Sequence, residues 1–212
     1  MSKKLFCFDL DDTLVDEDCW FKARWNKTFK LYSNIFKPNV VKDFFDIYDL
    51  HGPYYKFHLQ DLSLVHNEIS SFQEQIISTF KSIKVTEKLF PGAYTALESL
   101  SLFPDYRIGI VSNGNFNIVI NRLKSLNIIN FVDIVICDSF MKKPNSKSFE
   151  TISKNYQDHS LFFIGNDILL DIIPASENGF NVFLFMKNIN ITNLNSDYNS
   201  FSDYSSFSNQ FF

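Results

Sequence analysis

The sequence predicts an α/β protein: a parallel sheet covered by helices on both faces, interrupted near its start by a helical insertion. Three observations carry this. Short apolar runs alternate with helix-period segments from Pro91 to Phe185, the pattern of right-handed crossovers in a parallel sheet. A further apolar run, Leu5 to Phe8, must join the same sheet, because alone it could not bury both of its faces. Between these parts, residues 16–86 show only 3.6-residue periodicity.

The first strand runs into Asp9-Leu10-Asp11-Asp12-Thr13-Leu14. Acids at i and i+2 on extended chain point the same way, so Asp9 and Asp11 reach one rim of the sheet together. Like charges that close need a cation or a proton between them. In the insertion, Phe21, Trp25, Phe29, Tyr32 and Phe36 form one helical stripe, and Val65, Ile69, Phe72, Ile76, Phe80 and Ile83 another. His51-Gly52-Pro53 separates them. The insertion is long enough for a small subdomain, placed to hang over the rim as a lid. Trp20, Arg24, Lys56 and His58 are its candidates for facing a ligand; Tyr54, Tyr55 and Phe57 read as core aromatics before stacking partners. His51, His66 and His159 read as surface or loop residues. The expected division is therefore 1–15 with 87–212 as the core and 16–86 as the helical insertion.

Past the insertion, Pro91-Gly92 opens a helix with Ala93, Ala96, Leu97 and Leu100 on one face, followed by a buried strand at Tyr106–Val111. Asn115 is an N-cap for a helix carrying Phe116, Val119, Ile120, Leu123 and Leu126. Asp133–Cys137 reads as a short strand, Ser146–Asn155 as a helix and Leu161–Ile164 as a strand. Ile168–Asn178 reads as a helix stopped by Gly179, and Asn181–Phe185 as the last apolar strand. The Asn- and Ser-rich tail after Asn188 reads as a loop or fraying end, with Tyr198, Phe201, Tyr204, Phe207 and Phe211 available for a short edge element. In sheets of this kind ligands bind at the carboxyl ends of the strands, and Asp9, Ser112 and Gly165 each end a predicted strand.

Composition narrows the function. The formal net charge is −4 and no basic run is present, which argues against a nucleic-acid partner. No apolar stretch reaches the roughly 18 residues that span a bilayer, and Met1-Ser2-Lys3-Lys4 is no signal peptide. Cys7, Cys19 and Cys137 lack metal-ligand spacing, and Cys7 reads as a buried thiol. A reducing cytoplasm is the expected setting. The 25 Phe are spread along the chain and read as composition, not as function.

Four islands stand at strand or loop ends: Asp9-Leu10-Asp11-Asp12-Thr13, Val111-Ser112-Asn113-Gly114, Lys143-Pro144, and Gly165-Asn166-Asp167 with Asp171. In this order they resemble the four signature motifs of the haloacid dehalogenase superfamily, in its phosphatase branch, and the insertion resembles that family's cap placed after the first motif. The resemblance runs from Leu5 to about Phe185 and implies a Rossmann-like core with a helical cap. It implies that Asp9 is a nucleophile forming an aspartyl-phosphate, and that Asp11 is general acid for the leaving alcohol and then general base for water. An acid at this second position points to phosphoryl transfer, since the dehalogenase branch lacks one. Ser112, Asn113 and Gly114, with Thr13, would grip the phosphate. Lys143, chosen over Lys142 because it directly precedes Pro144, would neutralise the nucleophile and the transferring group.

The fourth island departs from the family pattern, with Asn166 where an acid is usual and Asp167 after it. The implied cofactor is Mg²⁺, which binds few carboxylates and keeps several waters. Its implied ligands are Asp9, the backbone carbonyl of Asp11, and Asp167, with Asn166 and Asp171 as further candidates; the motif leaves open which of the last three touches the ion. The expected activity is hydrolysis of phosphate monoesters of small metabolites, sugar phosphates or nucleoside monophosphates. A phosphomutase of the same family and a non-catalytic phospho-ligand-binding protein are the alternatives.

Overall fold

A computed structural model of the protein describes residues 2–52, 57–137, 142–187 and 198–208. Pro53, Tyr54, Tyr55, Lys56 and Phe211, named above, lie outside the described residues, as does 188–197. The chain divides into two compact units, Met1–Asp16 with Lys88–Phe212, and Glu17–Glu87.

The first unit is built on six parallel strands: β1 (Lys4–Phe8), β2 (Tyr106–Val111), β3 (Ile134–Ile136), β4 (Ser160–Gly165), β5 (Asn181–Phe185) and β6 (Asn199–Phe201). Their spatial order is β3-β2-β1-β4-β5-β6. β1 is central, with Phe8 in register with Ile110 on one side and Ile164 on the other. Leu5 to Phe8 are fully buried, which is why β1 reads as an unbroken apolar run. Alternate residues serve opposite faces. Phe6, Phe8, Ile108, Ile110, Ile164, Phe183 and Phe185 pack in one core cluster; Leu5, Cys7, Leu161, Phe163, Val182 and Leu184 pack in another. Cys7 is buried and unbridged. Gly109 makes room for it, since a Cβ there would lie 2.9 Å from the Cys7 sulfur.

The second unit holds α1 (Glu17–Leu31), α2 (Pro38–His51), α3 (His58–Val65) and α4 (Gln73–Ser82). Trp25, Phe29, Phe36, Val40, Phe44, Tyr48, Leu62, Ile69 and Ile76 make its own core. Most residues of both expected stripes face this core, but Val65 is exposed and Ile83 lies outside it, and neither stripe is one continuous helix. α1 ends at Leu31, and Phe36 is buried from the turn beyond it. The Val65–Ile83 stripe is split into α3, a 3₁₀ segment at Asn67–Ser71, and α4. His66 (φ −128°, ψ 89°) leaves the helical conformation, and its Nε2 lies 2.7 Å from Asp43 Oδ2. It is buried, against the surface reading. The sequence reading missed α2, which starts at Pro38 and stops where Gly52 takes φ 78°. Arg24 donates to the Lys81 carbonyl at 2.7 Å and stacks over Phe80, while His58 is buried against Tyr48 and Phe44. Internal packing thus accounts for both.

Flanking the sheet are α5 (Ala93–Ser101), α6 (Phe116–Ser125), α7 (Lys147–Asn155), α8 (Ile173–Glu177) and α9 (Tyr204–Ser208). Residues of α5, α6 and α9 join the first cluster, and those of α7 and α8 the second, so both faces are covered. Asn115 caps α6 as its sequence predicts, accepting from the Asn117 N–H at 3.0 Å. The tail supplies a sixth strand, β6, parallel to β5. No helix among the described residues is long and apolar enough to cross a membrane.

The expected Ile168–Asn178 helix opens instead with a π turn, Ile168–Ile172, before α8. Two local causes act together. Asp167 Oδ1 accepts from the N–H groups of Leu169 and Leu170 at 2.8 and 2.9 Å, widening the first turn. Pro174 has no N–H to give the Leu170 carbonyl, so no i−4 bond can tighten it again.

Candidate active site

The site is assembled at the carboxyl ends of β1, β2 and β4. Asp9 directly follows β1 and is locked to its neighbour strand by donating its N–H to the Ile164 carbonyl at 2.9 Å. A tight turn follows, with Leu14 and Val15 N–H groups both donating to the Leu10 carbonyl. Asp12 takes φ 53°, which Asp tolerates better than most residues. Thr13 is fully buried in this turn.

Lys143, 134 positions away, places its Nζ 2.5 Å from Asp9 Oδ1. The same nitrogen lies 2.5 Å from Asp171 Oδ1. All three residues are buried, while neighbouring Lys142 is exposed. The other Asp171 oxygen accepts from the N–H groups of Asn166 and Asp167, each at 3.2 Å. Asp171 therefore orients Lys143 and pins the loop after β4. Gly165 is required for this, because a Cβ there would lie 2.5 Å from Asp171 Oδ2.

The Thr13 hydroxyl links two further candidates, with Asp9 Oδ2 at 3.4 Å and Asn166 Oδ1 at 3.2 Å. Asp167 caps the π turn through its Oδ1. Ser112, buried at the end of β2, accepts from the Gly114 N–H at 3.2 Å. A Cβ at Gly114 would meet Val119 at 2.8 Å. The Asn113 side chain works in a way its motif did not announce. Its Oδ1 accepts from the Lys143 N–H at 2.7 Å, and its Nδ2 donates to the Lys143 carbonyl at 3.1 Å. It holds the backbone that carries the central ammonium.

Two participants escaped the sequence reading. Arg122 on α6 pairs with both oxygens of Asp11, Nη1 donating to Oδ2 at 3.1 Å and Nη2 to Oδ1. The one sequence signal was its position beside Val119 and Leu123, the buried stripe of α6. Tyr204 on α9 donates its hydroxyl to the Thr13 carbonyl at 3.0 Å, from within the low-complexity tail.

Burial dominates the electrostatics. It pushes the Asp9 carboxyl up to about 7, against the pull of the Lys143 ammonium, with Asp171 and then Asp11 adding to the rise. For Lys143, burial works against the charge, but Asp9 and Asp171 together more than offset it and hold the ammonium above its ordinary value. Tyr204 is raised well above the usual phenol range by burial, and by the charge of Asp9. Around Lys143, two carboxyl groups share one ammonium, so burial opposes a second negative charge there unless a further cation offsets it.

Among the described residues, no group of three or more His, Cys, Asp or Glu side chains is arranged to hold a metal ion. What does converge is an oxygen set of low charge: the Asp9 carboxylate and the Asn166 amide oxygen, joined through the Thr13 hydroxyl. Hard oxygen donors beside two acids that share one ammonium fit a divalent cation that retains most of its water. They do not suit a soft metal that asks for thiolate or imidazole.

A model of the haloacid dehalogenase-like hydrolase family matches residues 6–185. Among solved structures, the chain is similar to the HAD-type hydrolase YfnB of Bacillus subtilis, solved bound to magnesium, at 15% identity over 99% of each chain with a TM-score of 0.65. It is also similar to a protein of Thermotoga maritima provisionally named a β-phosphoglucomutase, at 13% identity over 98% of this chain and 97% of that one, with a TM-score of 0.71. A protein of Haemophilus somnus 129PT provisionally named a phosphoglycolate phosphatase gives 19% identity over 99% and 98%, with a TM-score of 0.65. At such identities the likeness concerns the fold alone. Comparison with curated proteins gives no match. The family match spans every strand end that carries Asp9, Ser112, Lys143 and Asp171: the chain belongs to the haloacid dehalogenase-like hydrolase family.

Proposed function

We propose that this protein is a Mg²⁺-dependent phosphatase of small phosphorylated metabolites. One observation carries the reading: Lys143 bridges Asp9 and Asp171 in a buried site where two acids share one ammonium. A nucleophilic carboxylate, a fixed ammonium and a second acid at Asp11 are the parts that phosphoryl transfer uses, because its rate gain comes mostly from positioning and charge stabilisation.

An oxygen of Asp9 attacks phosphorus, forming an Asp9–phosphorus bond as the bond to the ester oxygen breaks. Asp11 gives its proton to the departing alkoxide. It then takes a proton from water as that water attacks the phosphorus, releasing inorganic phosphate and restoring the Asp9 carboxylate. Lys143 neutralises charge on Asp9 and on the transferring group throughout, and Asn113 and Asp171 keep it in place. Thr13 is a hydroxyl donor beside the nucleophile, and Ser112 would supply a second from the end of β2. A bound magnesium ion would be held by Asp9, Asn166 and the Asp11 carbonyl, and would supply positive charge for the phosphoryl oxygens. Asp167 and Asp171 then act from behind, Asp167 by shaping the π turn. We assign substrate selection to the helical unit, whose chain departs from the core immediately after the Asp9–Val15 turn. Sugar phosphates and nucleoside monophosphates, in a cytoplasmic setting, are the classes this predicts.

The test is a panel of phosphate monoesters with Mg²⁺, read as released phosphate. Turnover that is lost in Asp9→Asn is the expected result. A wild type inert toward the whole panel overturns the reading and returns the chain to a binding role. Asp11 would serve a phosphomutase equally well, since both half-reactions need it. Isomerisation of a sugar phosphate outpacing phosphate release would select that reading.

A further inference from the structure

Among the described residues, five of the seven large hydrophobic side chains that the sheet-bearing unit leaves exposed stand on two segments. Phe116 and Ile118 belong to the segment that leaves β2; Ile168, Leu169 and Leu170 belong to the one that leaves β4. Those strands flank β1, so both segments start at the strand ends that bracket Asp9. They lie over opposite faces of the sheet, since Val119 and Leu123 of α6 join one core cluster and Ile172 the other. Ile118, 58% exposed, precedes Arg122 by one helical turn and shares the strip of α6 that reaches Asp11. Leu169, 70% exposed, sits between Asp167, which accepts from its N–H, and Asp171, which holds Lys143. Neither segment is loose at its start: Asn115 caps α6 and Asp167 caps the π turn. Hydrocarbon is thus presented to water on two sides of a small, charged centre.

We infer that this collar binds an apolar face of the leaving group, so that the substrate is the phosphate monoester of a nucleoside or of a hydrocarbon alcohol and not of a bare sugar. This rests on the phosphatase reading and narrows its substrate class. With phosphorus at Asp9, the alcohol portion projects from the carboxyl ends of the strands, between the two segments. A sugar brings hydroxyl groups to hydrocarbon that cannot match them, and gains nothing there. A nucleobase or an alkyl chain removes apolar surface from water on both partners, and Phe116 offers a ring face for stacking. Ligand sites in general divide the work this way, a few polar groups fixing orientation and apolar contact supplying the hold.

The test is phosphate release with Mg²⁺ from two pairs of esters: adenosine 5′-monophosphate against ribose 5-phosphate, and hexyl against ethyl phosphate. The base is expected to raise kcat/KM by roughly 5–150-fold, the worth of one stacked base. The longer chain is expected to raise it by about 2–4-fold per methylene. A gain in the first pair alone assigns the nucleoside, and in the second alone the hydrocarbon alcohol. Replacing Phe116 and Leu169 together by Ser should bring whichever gain is seen within about 3-fold. Leu102→Ser makes the same change at an exposed position on the segment that leads into β2, and should keep the gain in full. Should the double variant not fold, Leu169→Ser carries the comparison, with about half of the gain lost on a logarithmic scale. An active wild type without a gain in either pair, a gain that survives these substitutions, or an equal loss in Leu102→Ser overturns the inference and leaves the phosphatase reading standing. A wild type inert toward these four esters and every other monoester overturns the phosphatase reading itself.

Discussion

Lys143 Nζ lies 2.5 Å from Asp9 Oδ1 although 134 residues separate the two, and it is the cation that lets Asp9 and Asp171 share one buried pocket. Removing it leaves two carboxylates facing each other without a counter-charge. Lys143→Met is therefore expected to destabilise the protein by about 3–5 kcal/mol, the usual result of stripping one partner from a buried ion pair. It should also cost ~10²–10³-fold in kcat. Denaturant unfolding and phosphate release measure the two effects. A variant as stable as wild type would mean that the three groups do not form one electrostatic unit.

The raised Asp9 carboxyl gives stability a definite pH dependence. Its ordinary value is 3.8 and its folded value about 7, so the folded state holds the proton more tightly than the unfolded chain. Below pH 3.8 both states are protonated and Asp9 costs nothing. Between 3.8 and 7 only the unfolded state gives up its proton, and stability falls by on the order of 4 kcal/mol. Above 7 the loss is complete. Asp9→Asn removes it while Lys143 keeps Asp171 as partner. In chelator at pH 8, that variant should melt at least ~5 °C above wild type, with the gap closing toward pH 4. Magnesium should raise the wild-type midpoint at pH 8 and leave Asp9→Asn unmoved. A lower midpoint for Asp9→Asn at pH 8 would show that the Lys143 pairing outweighs the burial.

Gly165 tests the geometry behind Lys143. A methyl group there would lie 2.5 Å from Asp171 Oδ2 and 2.6 Å from the Asp171 Cβ, with no flexible tip to give way. Gly165→Ala should lose about 1–3 kcal/mol through overpacking. It should also lower kcat by up to ~10²-fold, because Asp171 can no longer hold Lys143 in line. Normal kcat alongside reduced stability would separate Asp171 from the chemistry.

What the sequence disclosed follows from which forces are local. β1, β2 and β5 were legible because a strand buried on both faces is a mostly apolar run. Asn115 was legible because a cap lies within two residues of the N–H it satisfies. The stripes of the helical unit gave most of the buried face, Val65 being exposed, and gave the continuity wrongly. Periodicity reports which side meets the core, whereas the break at His66 depends on Asp43, 23 residues away. Arg122 and Tyr204 were out of reach for the same reason. Each acts on a turn more than a hundred positions distant, and its own neighbourhood marks the face it packs on without naming that turn. Asp167 shows a local role beside its charge: its Oδ1 caps two amide groups at a helix start.

Tyr204 lies beyond the stretch that the family model matches, yet its hydroxyl donates to the Thr13 carbonyl at 3.0 Å, and the Thr13 hydroxyl in turn donates to Asp9. The tail therefore braces the nucleophile turn through one hydrogen bond. Tyr204→Phe keeps the ring among Phe185, Phe201 and Phe207 but leaves a buried carbonyl without its donor, at a cost of about 1–3 kcal/mol. If the bond orients Asp9, kcat falls several-fold while KM holds. Phe207→Leu supplies the comparison, because Phe207 packs on Phe8 and Phe183 and is fully buried without serving the turn. It should lose similar stability through packing, about 1–2 kcal/mol, at unchanged kcat. Equal effects of the two substitutions on kcat would reduce the tail to a share of the core, with no part in holding the turn.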